Sequence, residues 1–554
     1  MPPVSRFQPS FVPRVRCHPY TPPGRRISSG GDNAYPLDAT PDLGYSTVRM
    51  RLNICLALLA AGAIAVSLIE LRAAGASVEV TRLDIDGTPA TLYRPSAPMA
   101  APVVLIAHGF AGSQQLMQSF ALTFARNGYV AMTFDFPGHG RNPAPLTGSI
   151  TEVDGATRTL VQSLEHVAKV ARAAGDGRLA VLGHSMASDI VVRFAETSPD
   201  VTATIAVSMF SPAVTATAPR DLLIIVGDWE SMLKREALRA LNLALGPAGG
   251  SEGVTYGDVA AGTGRRVAFS PDVEHVGVLY SEHSMQEALA WLDASFGTRR
   301  TTPPRFDARG PWILLLLGGV VVLARPLSSL LPWIASPRLG AGLAWRRLWL
   351  PLVVPMIVTP LILRVLPTHF LPVLVGDYLA AHFLTYGLVT AIFLFALRRG
   401  VARPARPTRA LALAGASIAV VAYGFVALVW PVDAYVTSFL PGRERFLLIL
   451  AMLVGTLCYF LSDEWLTRGE PAARGAYFAS KVAFLVSLSI AVALDLQRLF
   501  FLVIIIPVIV LLFVIYGLFS KWTYARTGHP WVAGIANAIA FAWAIGVTFP
   551  LLAG

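Results

Sequence analysis

A serine flanked by small residues, Gly183-His184-Ser185-Met186-Ala187, directly follows an apolar run at 179–182 and opens a helical pattern. A sharp strand-to-helix turn of this kind holds a serine hydroxyl exposed, and small neighbours let the two backbones pass. The pattern ordinarily closes on Gly, so Ala187 adds one methyl group. Serine alone is a poor nucleophile near neutral pH; it needs a base to take its proton and an acid to orient that base. The chemistry of such a set is attack on an acyl carbonyl.

On a sheet carrying this turn, the chain order is serine, acid, histidine. Of ten histidines, only His275 and His283 lie between Ser185 and the apolar C-terminal half. His275 follows the run 266–269 through a short loop and precedes the last helical pattern, the place for a base. His283 lies at the mouth of that helix, where Ser284 can cap it and a solvated role suffices. The run 222–226 leads into Gly227-Asp228-Trp229-Glu230. The spacing from the glycine favours Glu230 as the acid, with Asp228 as the alternative. An oxyanion hole needs two backbone N–H donors. Met186, after the nucleophile, is one candidate; Phe110, in His108-Gly109-Phe110-Ala111-Gly112, is the other. His108 precedes Ser185 and reads as a structural hydrogen-bonding residue. The three cysteines, Cys17, Cys55 and Cys458, have no metal spacing. No metal, organic cofactor or disulfide framework is expected.

The elements that must position these groups lie between residues 77 and 297. Short β-branched runs there alternate with helical patterns, as in a parallel α/β sheet. An Asp86-Gly87 hairpin opens the region; strands are predicted at 103–107, 129–134, 179–182, 203–207, 222–226 and 266–269. Helices are predicted at 114–126, 157–174, 186–196, 231–245 and 285–296. Only 208–220 separates the strand after the elbow helix from the acid-bearing strand. That leaves no room for a large lid, so the site is expected to be open, with the Gly- and Ala-rich 246–264 as a mobile loop beside it.

The surrounding chain is of another kind. Of 554 residues, 54% are hydrophobic and 14% charged, mean hydropathy is +0.57, and the net charge is +11. By segment, 1–76 carries a net +4, 77–300 a net −5 and 301–554 a net +12. The only stretch that reads as soluble is acidic, which argues against a nucleic-acid partner. Residues 1–48, rich in Pro, Arg, Ser and Gly, read as disordered, and Met50 is the better candidate for the true start. Residues 51–70 form an apolar run read as an uncleaved transmembrane signal anchor; Ala74-Gly75-Ala76 offers the alternative of cleavage. The region 311–554 holds eight further candidate spans, at 311–331, 347–366, 371–397, 409–430, 445–462, 475–494, 497–519 and 531–553.

With the N-terminus inside, the cytoplasmic loops hold 11 Lys/Arg, from Arg338 through Arg398, Arg399, Arg403 and Arg406 to Arg526. The external loops between spans hold two, Arg443 and Arg498. The positive-inside rule then sets residues 77–297 outside the cytoplasm. Within the spans, Asp377 and His382 stand out, Asp377 being close enough to an end to be wet. Asp463, Glu464 and Asp495 lie at span ends, where solvent suffices. Such sparse intramembrane charge argues against ion-coupled transport. The low lysine share suggests a GC-rich bacterial genome.

His108-Gly109-Phe110, the loop Asp135-Phe136-Pro137-Gly138-His139-Gly140-Arg141, Gly183-His184-Ser185-Met186 and the His275 region together resemble the α/β-hydrolases of the serine aminopeptidase and monoacylglycerol-lipase-like group. The likeness covers roughly 220 residues and does not extend to the C-terminal spans. The resemblance implies a doubly wound sheet and hydrolysis of esters, amides or related acyl bonds. The expectation is therefore an α/β-hydrolase domain without a large lid, fused to an all-α transmembrane bundle. Its role would be that of a serine hydrolase held in a bacterial inner membrane, acting outside the cytoplasm on acyl or lipid-like esters. The alternative is a polytopic transporter or lipid-handling protein whose hydrolase-like part is a processing or binding module. Access to the site would be governed by the membrane surface or by external loops of the bundle.

Overall fold

The computed structural model describes residues 43–96, 100–148, 153–397 and 409–553. Most of the segment 1–48, with Cys17, and the arginines at 398, 399, 403 and 406 lie outside the described residues. The first helix, α1 (Leu43–Ala73), begins ahead of Met50. The α/β part then runs β1 (Val78–Ile85), β2 (Thr88–Pro95), β3 (Val103–Ala107), α2 (Gln118–Arg126), β4 (Val130–Phe134), α3 (Arg158–Ala173), β5 (Leu179–His184), α4 (Met186–Thr197), β6 (Val201–Val207), β7 (Leu222–Gly227), α5 (Ser231–Leu245), β8 (Thr255–Tyr256), β9 (Arg265–Ser270) and α6 (Glu282–Phe296).

These strands form one sheet in the order β1-β2-β4-β3-β5-β6-β7-β9-β8. From β4 to β9 all neighbours are parallel, while β1, β2 and β8 pair antiparallel at the edges. The central strands β3, β4, β5 and β7 are buried along their whole length. Parallel strands covered by helices on both faces need continuous apolar runs, which is why these segments read without alternation. Helix α3 buries one stripe: Leu160, Leu164, Val167, Ala168 and Ala171 repeat at helical spacing and are buried. The predicted cap of α6 is corrected: Ser281, not Ser284, caps it, its side chain accepting from the Ser284 amide. The stretch 246–264 is not merely a loop, since it carries β8, which pairs with β9.

The apolar half comprises α7 (Arg309–Ser328), α8 (Trp345–Val365), α9 (Gly376–Leu397), α10 (Ala410–Gly424), α11 (Trp430–Tyr435), α12 (Phe446–Thr467), α13 (Ala476–Leu494), α14 (Leu496–Thr527) and α15 (Pro530–Thr548). With α1, nine helical stretches among the described residues are long and apolar enough to cross a membrane, α10 and α11 counting as one. Each overlaps a predicted span. α14 continues to Thr527, beyond the predicted end at 519, and α15 stops at Thr548 instead of 553. Asp495 caps α14 by accepting from the Arg498 amide, which separates α13 from α14 where the hydropathy pattern barely breaks. Ile64, Leu68 and Leu71 of α1 pack with Ile313 and Leu316 of α7.

Asp463 and Glu464 do not rest in solvent. They are 2% and 0% exposed inside the bundle. Lys481 and Ser480 donate to Asp463, while Ser520 donates to Glu464 at 2.5 Å and the Arg468 Nε at 3.1 Å. A buried carboxylate without such partners would be too costly to keep charged. Asp377 is likewise buried rather than wet, accepting from the amides of Phe370 and Tyr378. His382 is fully buried, its Nε2 lying 3.1 Å from Ser487 Oγ.

Candidate active site

The candidate groups sit at the carboxyl ends of parallel strands, where open α/β sheets bind their ligands. Ser185 follows β5, Glu230 follows β7, His275 follows β9 and Phe110 follows β3. Ser185 has φ 54° and ψ −118°, a strained backbone for a residue with a side chain. A Cβ at Gly183 would collide with the Ala187 carbonyl, so glycine is required before the turn. The extra methyl of Ala187 is accommodated, fully buried, on the inner face of α4.

His275 Nε2 is 2.9 Å from Ser185 Oγ, and His275 Nδ1 is 2.5 Å from Glu230 Oε1. The second Glu230 oxygen accepts from Ser208 Oγ at 2.7 Å and from the Gly227 amide at 2.8 Å. Burial works against the charged carboxylate, yet the hydrogen bonds from His275, Ser208 and Gly227 outweigh it and hold Glu230 below its ordinary value. A carboxylate that stays ionised can orient an imidazole and stabilise its protonated form. Asp228, the alternative acid, instead pairs with Lys234 Nζ at 2.5 Å on the surface. His283 lies on α6, 4.0 Å from Glu287 Oε1 and half exposed.

Met186 opens α4, so its amide is one of the first-turn donors without an intrahelical partner. Across from it, the β3 loop approaches so closely that a Cβ at Gly109 would lie 3.0 Å from the Ser185 Cβ. Phe110 is the next residue, so the loop bearing the second candidate amide lies against the nucleophile. His108 is buried, with Nδ1 2.8 Å from the Gly109 oxygen, and its Nε2 accepts from the Phe136 amide at 3.1 Å. Burial pushes it down to about 4, so it is a neutral brace between two loops.

Two supporting residues escaped the sequence reading. Ser208, at φ 51°, turns its hydroxyl onto Glu230. His184 lies with Nε2 2.9 Å from the main-chain oxygen of His275, and burial, aided by the nearby His275, pushes it down to about 3. A neutral imidazole here donates to that carbonyl. The signal for His184 was its place beside the serine; nothing in the sequence marked Ser208.

Asp135 organises the neighbouring loop by accepting from the Gln114 amide at 2.8 Å and the Arg141 amide at 3.0 Å. That loop meets the bundle. Arg141 pairs with Asp433 at 2.5 Å, and the fully buried Arg445 donates to the carbonyls of Gly138, Gly546 and Phe549 at 2.8, 3.0 and 2.9 Å. The Leu551 amide donates to Gly138 and the Leu146 amide to Leu551, at 2.9 and 2.8 Å. The Phe110 ring lies 4.3 Å from that of Phe501 in α14. The mouth expected to be open is therefore roofed by the bundle on the Phe110 side, although the His275 side chain remains 36% exposed. Among the described residues no cluster could hold a metal ion.

Residues 98–243 match the hydrolase family described as Serine aminopeptidase, S33. No curated protein matches the chain. Among solved structures, it is similar to a CIB-like hydrolase from Thermoplasma acidophilum, at 15% identity over 40% of this chain and 98% of that one, with a TM-score of 0.31. A variant epoxide hydrolase from Vigna radiata is 12% identical over 40% and 99% of the two chains, at 0.28. A dienelactone hydrolase from Anabaena variabilis is 15% identical over 40% and 96%, at 0.27. The chain carries an α/β-hydrolase domain followed by a region of long apolar helices.

Proposed function

We propose that this hydrolase domain is a membrane-anchored serine hydrolase that cleaves acyl ester or amide bonds outside the cytoplasm. The observation that carries the reading is the continuous contact from Ser185 Oγ to His275 Nε2 and from His275 Nδ1 to Glu230 Oε1, at 2.9 and 2.5 Å. His275 takes the Ser185 proton as Oγ attacks the acyl carbonyl, and returns it to the leaving group. Glu230 holds the imidazole and stabilises its charge. The Phe110 and Met186 amides receive the oxyanion. Water then attacks the acyl-enzyme by the same route, releasing the acid and restoring Ser185. No cofactor enters the cycle.

The anchor reading is supported by α1, which packs against α7 as a member of the bundle. The external orientation is supported by the arginine bias of the loops. The proposed location is a bacterial inner membrane with the N-terminus inside. The docking of the site's Phe110 loop against apolar helices supports a substrate with lipid character. A second reading, transport with the hydrolase domain as a processing module, draws on buried polar atoms without partners inside the bundle: His382 Nδ1 and the hydroxyls of Tyr386 and Tyr459.

The deciding experiment is labelling of the full chain in detergent with a fluorophosphonate probe. Wild-type protein labels and Ser185→Ala does not; an unlabelled, folded wild type removes the hydrolase reading.

A further inference from the structure

A cavity of about 480 Å³ lies where the 368–378 loop, the start of α14 and the segment after α15 converge. Its apolar wall is Leu371, Val373, Leu374, Val375, Leu499 and Leu552. The cavity is about half open to its surroundings, and its size falls within the ~300–1,000 Å³ of ligand pockets. The rest of the lining is polar and includes His369, Asp377 and Arg498, the Arg498 Nη2 lying 3.0 Å from Thr368 Oγ1. An apolar wall with a charged edge suits an amphiphile.

The cavity is continuous in packing with the catalytic face. Phe110 packs against the cluster that contains Val373, Leu374, Val375 and Leu499, and its ring lies 4.3 Å from that of Phe501, on the same helix as Leu499. Leu552 touches this cluster and also the hydrolase core beside Leu146. From Ser185 the sequence of neighbours is therefore Gly109, Phe110, then the bundle cluster that also supplies Val373, Leu374, Val375 and Leu499 to the cavity wall. Val375 adds an independent mark, because a β-branched residue at φ 61° is strained. Backbone strain of this kind persists only where the surroundings enforce it and gathers at ligand-binding segments.

We propose that this cavity is the acyl-chain site of the hydrolase, so that membrane helices outside the hydrolase domain select the chain length of an acyl ester with a long aliphatic tail. The inference rests on the serine-hydrolase reading above. Phe110 and Phe501 form its threshold: the carbonyl stays at Ser185 while the tail passes their rings into the bundle.

The test is the ratio of kcat/KM for dodecanoyl and butanoyl p-nitrophenyl esters, measured on the full chain in detergent. Leu371→Trp, filling the cavity from a half-buried wall position, lowers the ratio at least tenfold. Val375→Gly, which widens the cavity and releases the strained φ, raises it. Leu411→Trp, on a lipid-facing position of α10, leaves it unchanged. Fluorophosphonate labelling of each variant reports the folded site. An unlabelled wild type defeats the serine-hydrolase reading itself; labelled variants whose ratios equal the wild type's overturn the acyl-chain site alone.

Discussion

His184 Nε2 lies 2.9 Å from the main-chain oxygen of His275, so the residue before the candidate nucleophile braces the loop of the candidate base. The pair couples the turn after β5 to the loop after β9 without either imidazole leaving its own strand end. His184→Phe keeps a ring in place and removes the donor. It is expected to lower kcat about tenfold to a hundredfold, the scale of an ångström-sized misplacement, with KM little changed; equal kcat in wild type and variant would rule out the brace.

The two carboxylates after β7 separate by their partners. Glu230→Gln is expected to reduce kcat by about 10³–10⁴, as when a triad carboxylate is replaced by its amide. Asp228→Asn, which removes only a surface pair with Lys234, changes it less than about twofold. Steady-state kinetics on the two variants distinguishes them, and a larger loss in Asp228→Asn would reverse the assignment.

How much of this was legible depends on where each constraint resides. Ser185, Glu230 and His275 are marked by local spacing at strand ends, and the spacing of the chain reproduces their order in space. Ser208 belongs to a different strand end from Glu230, so its partnership exists only once β6 and β7 lie side by side. Hydropathy weighs residues singly. It therefore sent Asp463 and Glu464 to solvent, although Lys481 and Arg468 on the same or a neighbouring helix let them be buried. The roof over Phe110 was unreadable because it joins segments from distant parts of the chain.

Acid should destabilise the hydrolase domain through its histidines. His108, His139 and His184 are driven by burial from an ordinary 6.5 down to about 4, about 3 and about 3. Their folded values are depressed, so the stability they contribute is intact above about 6.5. It falls as pH drops toward 3 to 4, since the unfolded chain binds protons the folded one refuses. Melting temperature measured from pH 7 to 4 should decline, and His139→Gln should flatten the decline; an unchanged slope would contradict the linkage.

Lys481 and Asp463 are 6% and 2% exposed and share a hydrogen bond inside the bundle. Lys481→Met leaves an uncompensated buried carboxylate and is expected to cost about 3–5 kcal/mol. The double variant Lys481→Met with Asp463→Leu should recover most of it. Thermal stability in detergent reads both, and a double variant no better than the single one would show that the pair is not the source of the loss.

The strand-like pairing of Leu551 and Leu552 with the loop at Gly138 and Leu146 has a consequence for biogenesis. The loop is synthesised early, yet its partner leaves the ribosome only after α15. Until then the Leu146 amide awaits its mate and the Gly138 carbonyl has only Arg445. Maturation of the hydrolase face is in this way tied to completion of the helical region. Fusions or truncations at residues 549–553 would be felt at the opposite side of the chain, in the loop organised by Asp135.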